Sequence, residues 1–239
     1  MTRLFTRVDD CLDDVITRMG PRIALGIPLG IGKPNPLVNS LYARAKANPG
    51  LKLRILTALS LEKPKAGSDM EARFLDPFVA RVFGNYPDLD YVRDRHKGQL
   101  PANVDVIEFF LKSGDYLHND YVQQNYLNSN YTHAARDMMI QGVNVLAQAV
   151  AVRERGGITE YSLSCNPDVT LDALDLIREK GNKVYTILVV NRELPFMEGG
   201  AVVDASLADA IVDDPCCTHT LFSAPNMKVT PSDYAIGLY

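Results

Sequence analysis

Short runs in which apolar residues fall at every second position, or fill the run, alternate along the chain with longer stretches in which they recur every third or fourth residue. The first rhythm marks strands and the second helices. Their alternation predicts an α/β domain built on an open, mostly parallel sheet flanked by helices. Residues 22–27 are an apolar run that ends in a glycine-rich turn. A helix is expected next, with Asn35 as its cap, Pro36 in its first turn and Leu37, Leu41, Tyr42 and Ala45 on one stripe. Residues 51–61 set Leu51, Leu53, Ile55, Thr57, Leu59 and Leu61 on one face of a second strand, which completes a βαβ unit.

Further strands are expected at 104–109, 143–152, 158–164, 184–190 and 219–223. The run 184–190 is apolar on both faces, as a central parallel strand is. Residues 168–180 place Leu171, Leu174 and Ile177 at helical spacing, with basic residues in the last turn and Gly181 at the stop. Other helices are expected at 69–83, 89–97 and 206–212. The stretch 98–141 is rich in Tyr, Asn and His and weakly periodic, so it reads as a surface excursion near an interface or a site.

Composition narrows the class of protein. A chain of 239 residues, 46% hydrophobic and 23% charged, has the balance of a soluble globular protein with one large domain or two small ones. A net charge of −4 without a basic run argues against nucleic acid as a partner. The first twenty residues mix acids with apolar positions, unlike a secretory signal, and no run reaches the roughly 18 apolar residues of a membrane span. A cytoplasmic protein without a membrane partner is expected. The four cysteines lack paired spacing, and Cys216-Cys217-Thr218-His219 is a poor zinc cluster because adjacent cysteines rarely share one ion, so no metal is expected.

Candidate chemistry gathers in two loops. The first holds Gly26, Gly30, Gly32, Lys33 and Asn35, and glycines in a βα turn let backbone N–H groups approach an anion. It lacks the spacing of a P-loop and the third glycine of a dinucleotide fingerprint, which disfavours ATP, GTP, NAD and FAD. Lys33 is either a carboxylate contact or a solvated surface side chain. The second loop, 191–200, follows the most buried strand, at the edge where open α/β sheets place ligands. Asn166 repeats the Asn-Pro junction of Asn35 and reads as a helix cap, while Cys165 reads as an inert thiol at the end of a buried strand.

The residues 187–213, Ile187-Leu-Val-Val-Asn191-Arg-Glu-Leu-Pro195-Phe-Met-Glu-Gly199-Gly-Ala-Val-Val-Asp204-Ala-Ser-Leu-Ala-Asp209-Ala-Ile-Val-Asp213, resemble the acetyl-CoA hydrolase/transferase family. In that family a strand ends in an Asn-x-x-x-Pro loop before a further strand and an Asp-x-Ile-Val helix. The glycine-rich loop and residues 162–168 resemble the same family in order and spacing.

The resemblance implies a class I CoA-transferase fold, in which two similar α/β halves enclose the acyl-CoA, with residues 1–239 as the amino-terminal half and the carboxy-terminal half of the same polypeptide as its partner. It also implies acyl-CoA and carboxylate substrates, a coenzyme A thioester as substrate rather than a permanently bound cofactor, and a glutamyl-CoA intermediate. No glutamate in the chain matches the family's catalytic motif, and residues 233–239 fall where the helix before it would begin. By position, Gly26, Gly30, Gly32, Lys33, Asn35, Asn191 and Pro195 line the cleft. Surface meant for a second half implies self-association, hence a homo-oligomer. Two other readings stand beside it: a non-catalytic module that binds CoA or another small molecule, and a sugar-phosphate isomerase with Glu193 and Asp168 as its acid/base pair.

Overall fold

The computed structural model describes residues 2–222 and 232. Contacts divide the chain into two compact units, one of residues 1–62 and 87–219 and one of residues 63–86 and 220–239.

The larger unit begins with β1 (Arg3–Phe5) and α1 (Val8–Met19), in a region assigned no element from the sequence. Val8, Cys11, Leu12 and Val15 lie three and four residues apart and are all buried, which makes α1 a helix docked by one face. There follow β2 (Arg22–Gly26), α2 (Asn35–Ala47) and β3 (Lys52–Thr57), the expected βαβ unit. The helix α3 (Asp69–Phe83) belongs to the smaller unit. In the larger unit come α4 (Asp90–His96), β4 (Val104–Glu108), α5 (Asp120–Gln124), α6 (Tyr131–Ile140), β5 (Val145–Arg155) and β6 (Ile158–Ser162). It ends with α7 (Thr170–Glu179), β7 (Tyr185–Val190), β8 (Val202–Val203) and β9 (Ala210–Val212).

Seven strands pair in parallel in the order β1-β9-β7-β5-β2-β3-β4, and β6 and β8 extend the sheet by antiparallel pairing from β5. Alternate residues of β2 to β4, such as Ile23, Leu53 and Val104, pack with α1, α2 and α4 in one core. On the other face Leu56, Leu146 and Ile107 pack with Met138 of α6 and Leu174 of α7. The larger unit is therefore helix on both sides of a mostly parallel sheet, as the alternation of rhythms requires.

Three expectations are corrected. Residues 206–212 are a 3-10 turn at Ala205–Leu207 followed by β9, because Ala210, Ile211 and Val212 fill the gap between β1 and β7 and sheet pairing overrides helical spacing. Residues 219–222 form no strand, and Ser223 lies outside the described residues. The polar stretch 98–141 contains α5 and α6 and buries Tyr116, Val122, Ala134 and Met138, so it contributes to the core.

In the smaller unit α3 opens with a reciprocal cap. Ser68 accepts from Glu71 N–H and the Glu71 carboxylate accepts from Gly67 N–H. Phe83 and Tyr86 pack on Phe222, with ring centroids 5.8 and 5.3 Å away.

Candidate functional site

The strand order reverses between β2 and β5: the chain after β2 builds β3 and β4 on one side, and the chain after β5 builds β7 and β9 on the other. The helices that follow leave on opposite faces, α2 with the first core and α7 with the second. Such a switch point opens a crevice at the carboxyl ends of the strands, where open α/β sheets take ligands. The glycine-rich loop, 27–34, runs along it from the end of β2.

This loop is held by the segment after β6. Gly32 N–H donates to Asn166 Oδ1 at 2.9 Å, and Leu29 N–H donates to Asp168 Oδ2 at 2.6 Å. Gln148, buried in β5, donates to the Asn166 carbonyl at 3.1 Å and accepts from Thr170 Oγ1 at 2.8 Å. A Cβ on Gly32 would lie 2.4 Å from the Asn166 carbonyl oxygen, and one on Gly26 would lie 2.8 Å from Leu146. Backbone packing therefore demands glycine at 32, the Leu146 side chain would have to shift for any other residue at 26, and Gly30 has φ 68°, a conformation natural to glycine. Asn166 is not a cap, as the residue before α7 is Val169 and no side chain caps it. Nor is Asn35 a cap: it is the first residue of α2, its Nδ2 donates to the Pro87 carbonyl at 2.8 Å, and its buried Oδ1 has no partner among the described residues.

Lys33 is no solvated surface lysine: it is 2% exposed, and its Nζ donates to Thr57 Oγ1 at 2.9 Å and to the Ala58 and Leu59 carbonyls at 3.3 Å. Burial pulls its ammonium down to about 8, against the attraction of Glu108 and Asp168. The Asp168 carboxyl is pushed up by burial, opposed by the Leu29 N–H and the Tyr131 hydroxyl.

Beside Lys33 stands a polar network that the sequence reading missed. Glu108, the last residue of β4, accepts from Ser60 N–H at 2.7 Å and pairs with Arg95 at 2.5 Å, both ion-pair partners being 2% exposed. Arg95 also donates to the Tyr116 hydroxyl and lies 4.5 Å from the centroid of that ring. Tyr91 shares a hydrogen bond with Ser60 Oγ, and burial pushes its hydroxyl far up. Glu108 did carry a signal. Val104, Val106 and Glu108 share one period-two face, which puts a carboxylate where the pattern calls for an apolar side chain.

The loop after β7 forms the other group. Asn191 is 1% exposed; its Oδ1 accepts from Glu193 N–H at 3.1 Å, and its Nδ2 has no partner among the described residues. Pro195 is exposed, and its carbonyl accepts from Ser164 Oγ at 2.7 Å. The structure does not join this group directly to the glycine-rich loop, since β5 stands between β2 and β7. Residues 163–168 connect them, through Ser164 to Pro195 at one end and Asn166 to Gly32 at the other. Ser164 and Asp168 hold φ of 60° and 52°, strained for side chains of their kind.

Cys165 is exposed in this connecting loop rather than buried at a strand end. Glu193 is exposed and shares no hydrogen-bond partner with Asp168. Among the described residues no group of three or more His, Cys, Asp or Glu could hold a metal ion, and no helix is long and apolar enough to cross a membrane. The expected helix start at 233–239 lies outside the described residues.

No model of a known protein family matches the chain, and no curated protein matches it in sequence. Solved structures do match. A point variant of RipA is similar at 18% identity and a TM-score of 0.53, covering 96% of this chain and 44% of its own. RipA from Yersinia pestis is similar at 18% identity and 0.50, covering 96% and 45%. A 4-hydroxybutyrate CoA-transferase from Porphyromonas gingivalis is matched at 14% identity over 93% of this chain and 41% of its own, with a TM-score of 0.49. The chain thus shares its fold with RipA and spans less than half the length of the RipA chains.

Proposed function

We propose that the chain is the amino-terminal half of an acyl-CoA hydrolase or CoA-transferase that moves CoA between an acyl-CoA, acetyl-CoA first among them, and a carboxylate. The catalytic glutamate then lies outside residues 1–239, and the coenzyme A thioester is a substrate rather than a resident cofactor. One observation carries the reading: the segment 187–213 that resembles the acetyl-CoA hydrolase/transferase family leaves β7 at the carboxyl edge of the sheet, with Asn191 buried and its amide Nδ2 unpartnered among the described residues. An unsatisfied buried donor costs about 1–3 kcal/mol. A thioester oxygen, or the oxyanion that develops on it, would satisfy that donor.

In this mechanism the glutamate carboxylate attacks the acyl carbonyl and expels the CoA thiolate, leaving a mixed anhydride. The thiolate attacks the glutamyl carbonyl, which releases the acyl group as a carboxylate and leaves glutamyl-CoA. An acceptor carboxylate reverses the sequence, and water in its place gives hydrolysis. Gly30 and Gly32 would shape the cleft by letting Asn166 pack closely, Gly26 by letting β2 pass close to Leu146, Lys33 would hold its floor positive, and Asn35 and Pro195 would stand at its margins.

Release of thiol from acetyl-CoA, with and without a carboxylate acceptor, tests the reading. The product of the complete reading frame is expected to cleave or transfer, and the 239-residue chain alone to do neither. Thioester cleavage by the 239-residue chain alone would contradict it.

A further inference from the structure

At the other end of the sheet, where β2, β3 and β4 begin, a recess of about 380 Å³ is lined by Arg22, Ala24, Lys52, Arg54, Asp105 and Gly142 among others. Parallel register sets Arg22 beside Lys52, Ala24 beside Arg54, and Arg54 beside Asp105. Their neighbours Ile23, Leu53 and Val104 point into the core with α1, α2 and α4, so these residues project from the opposite face. There α6 stops at Ile140 and Gly142, at φ 77°, turns the chain, which leaves this end of the sheet concave and open. Asn144 fixes the floor, accepting from Ala24 N–H at 2.8 Å and donating to the Arg22 carbonyl at 2.9 Å.

Like charges side by side on neighbouring strands repel. Here Arg22 and Lys52 are register partners, and Arg54 follows two residues along the same face. Asp105, 3.6 Å from Arg54, is the carboxylate of the recess, and Arg22 and Lys52 make no ion pair with any described residue. The Arg54 Nε is buried without a partner among the described residues. Three cations thus face one carboxylate in a chain whose net charge is −4. An anion resting between Arg22 and Lys52 would turn their repulsion into two charge-assisted contacts.

We propose that this recess binds a compact polyanion of the phosphate class, a small molecule with adjacent phosphates, through Arg22 and Lys52 with Arg54 behind them. Duplex nucleic acid does not fit, because such binders neutralise roughly 6–10 phosphates along an open face. The recess lies at the amino ends of the strands, away from the carboxyl-edge loops, and stands independently of the transferase reading.

Calorimetric titration of the 239-residue chain with pyrophosphate at low ionic strength tests the site. Expected is saturable one-to-one binding, roughly tenfold weaker in the Arg22→Gln/Lys52→Gln double variant and several-fold tighter in Asp105→Asn. Chloride at matched ionic strength should give no saturable heat. Both residues of the double variant are exposed, so its fold should persist, and circular dichroism verifies it. A folded chain that shows no saturable binding, or a folded double variant that binds as tightly as the wild type, overturns the proposal.

Discussion

A buried lysine makes stability depend on pH in a direction its surroundings determine. Lys33 titrates near 10.5 when unfolded and about 8 when folded, because burial disfavours the ammonium. Between those values the unfolded chain binds the extra proton, so the Lys33 contribution rises as pH increases through that window. Below it the full penalty of burying the charge applies. The buried thiols act in the opposite sense: burial pushes Cys11 up to about 12 and Cys217 higher still, so stability falls once the unfolded thiols ionise. Comparison with Lys33→Met removes the thiol effect, which both proteins share. Urea unfolding should show the wild type gaining on Lys33→Met by roughly 3 kcal/mol between pH 8 and pH 10.5. A difference that does not change with pH would show that Lys33 is solvated.

At the same scale, residues differ in how far their roles could be read from the sequence. Glu108 was legible in principle, as a charge in a buried register. Asn166 and Asp168 were not, because their partners Gly32 and Leu29 lie 134 and 139 residues away. An Asn-Pro junction before a helix suggests a cap from local rules alone. Here the tertiary contact wins, since the amide is spent across the crevice.

Among elements, strong local patterns translated directly. The apolar stripe of α2, the buried run of β7 and the capped α3 all form where their periodicity places them. β9 does not follow its helical spacing, because a three-residue strand takes its conformation from β1 and β7 on either side. α1 shows the reverse: its stripe of Val8, Cys11, Leu12 and Val15 is regular, yet a run of acids on the exposed side obscures it. This helix is part of the main core rather than an appendage, with Leu12 at 0% exposure. Leu12→Ala should therefore lower the unfolding free energy by about 2–5 kcal/mol, measured by denaturant titration. A loss below about 1 kcal/mol would mean that α1 is only loosely docked.

For the whole molecule, the shared fold with RipA covers nearly all of this chain and under half of its counterpart. On the proposed reading the reactive centre is completed by residues beyond 1–239, while the crevice, the stitched loops and Asn191 lie within residues 1–239. In the proposed reaction CoA becomes bonded to a glutamate of the complete protein. Intact-mass analysis of the complete reading frame's product after exposure to acetyl-CoA, followed by peptide mapping, tests this most directly. The account predicts an adduct of one CoA less one water on a glutamate outside residues 1–239, discharged by a carboxylate acceptor. An unchanged mass in protein that turns acetyl-CoA over, or an adduct on a residue of another type, would contradict it.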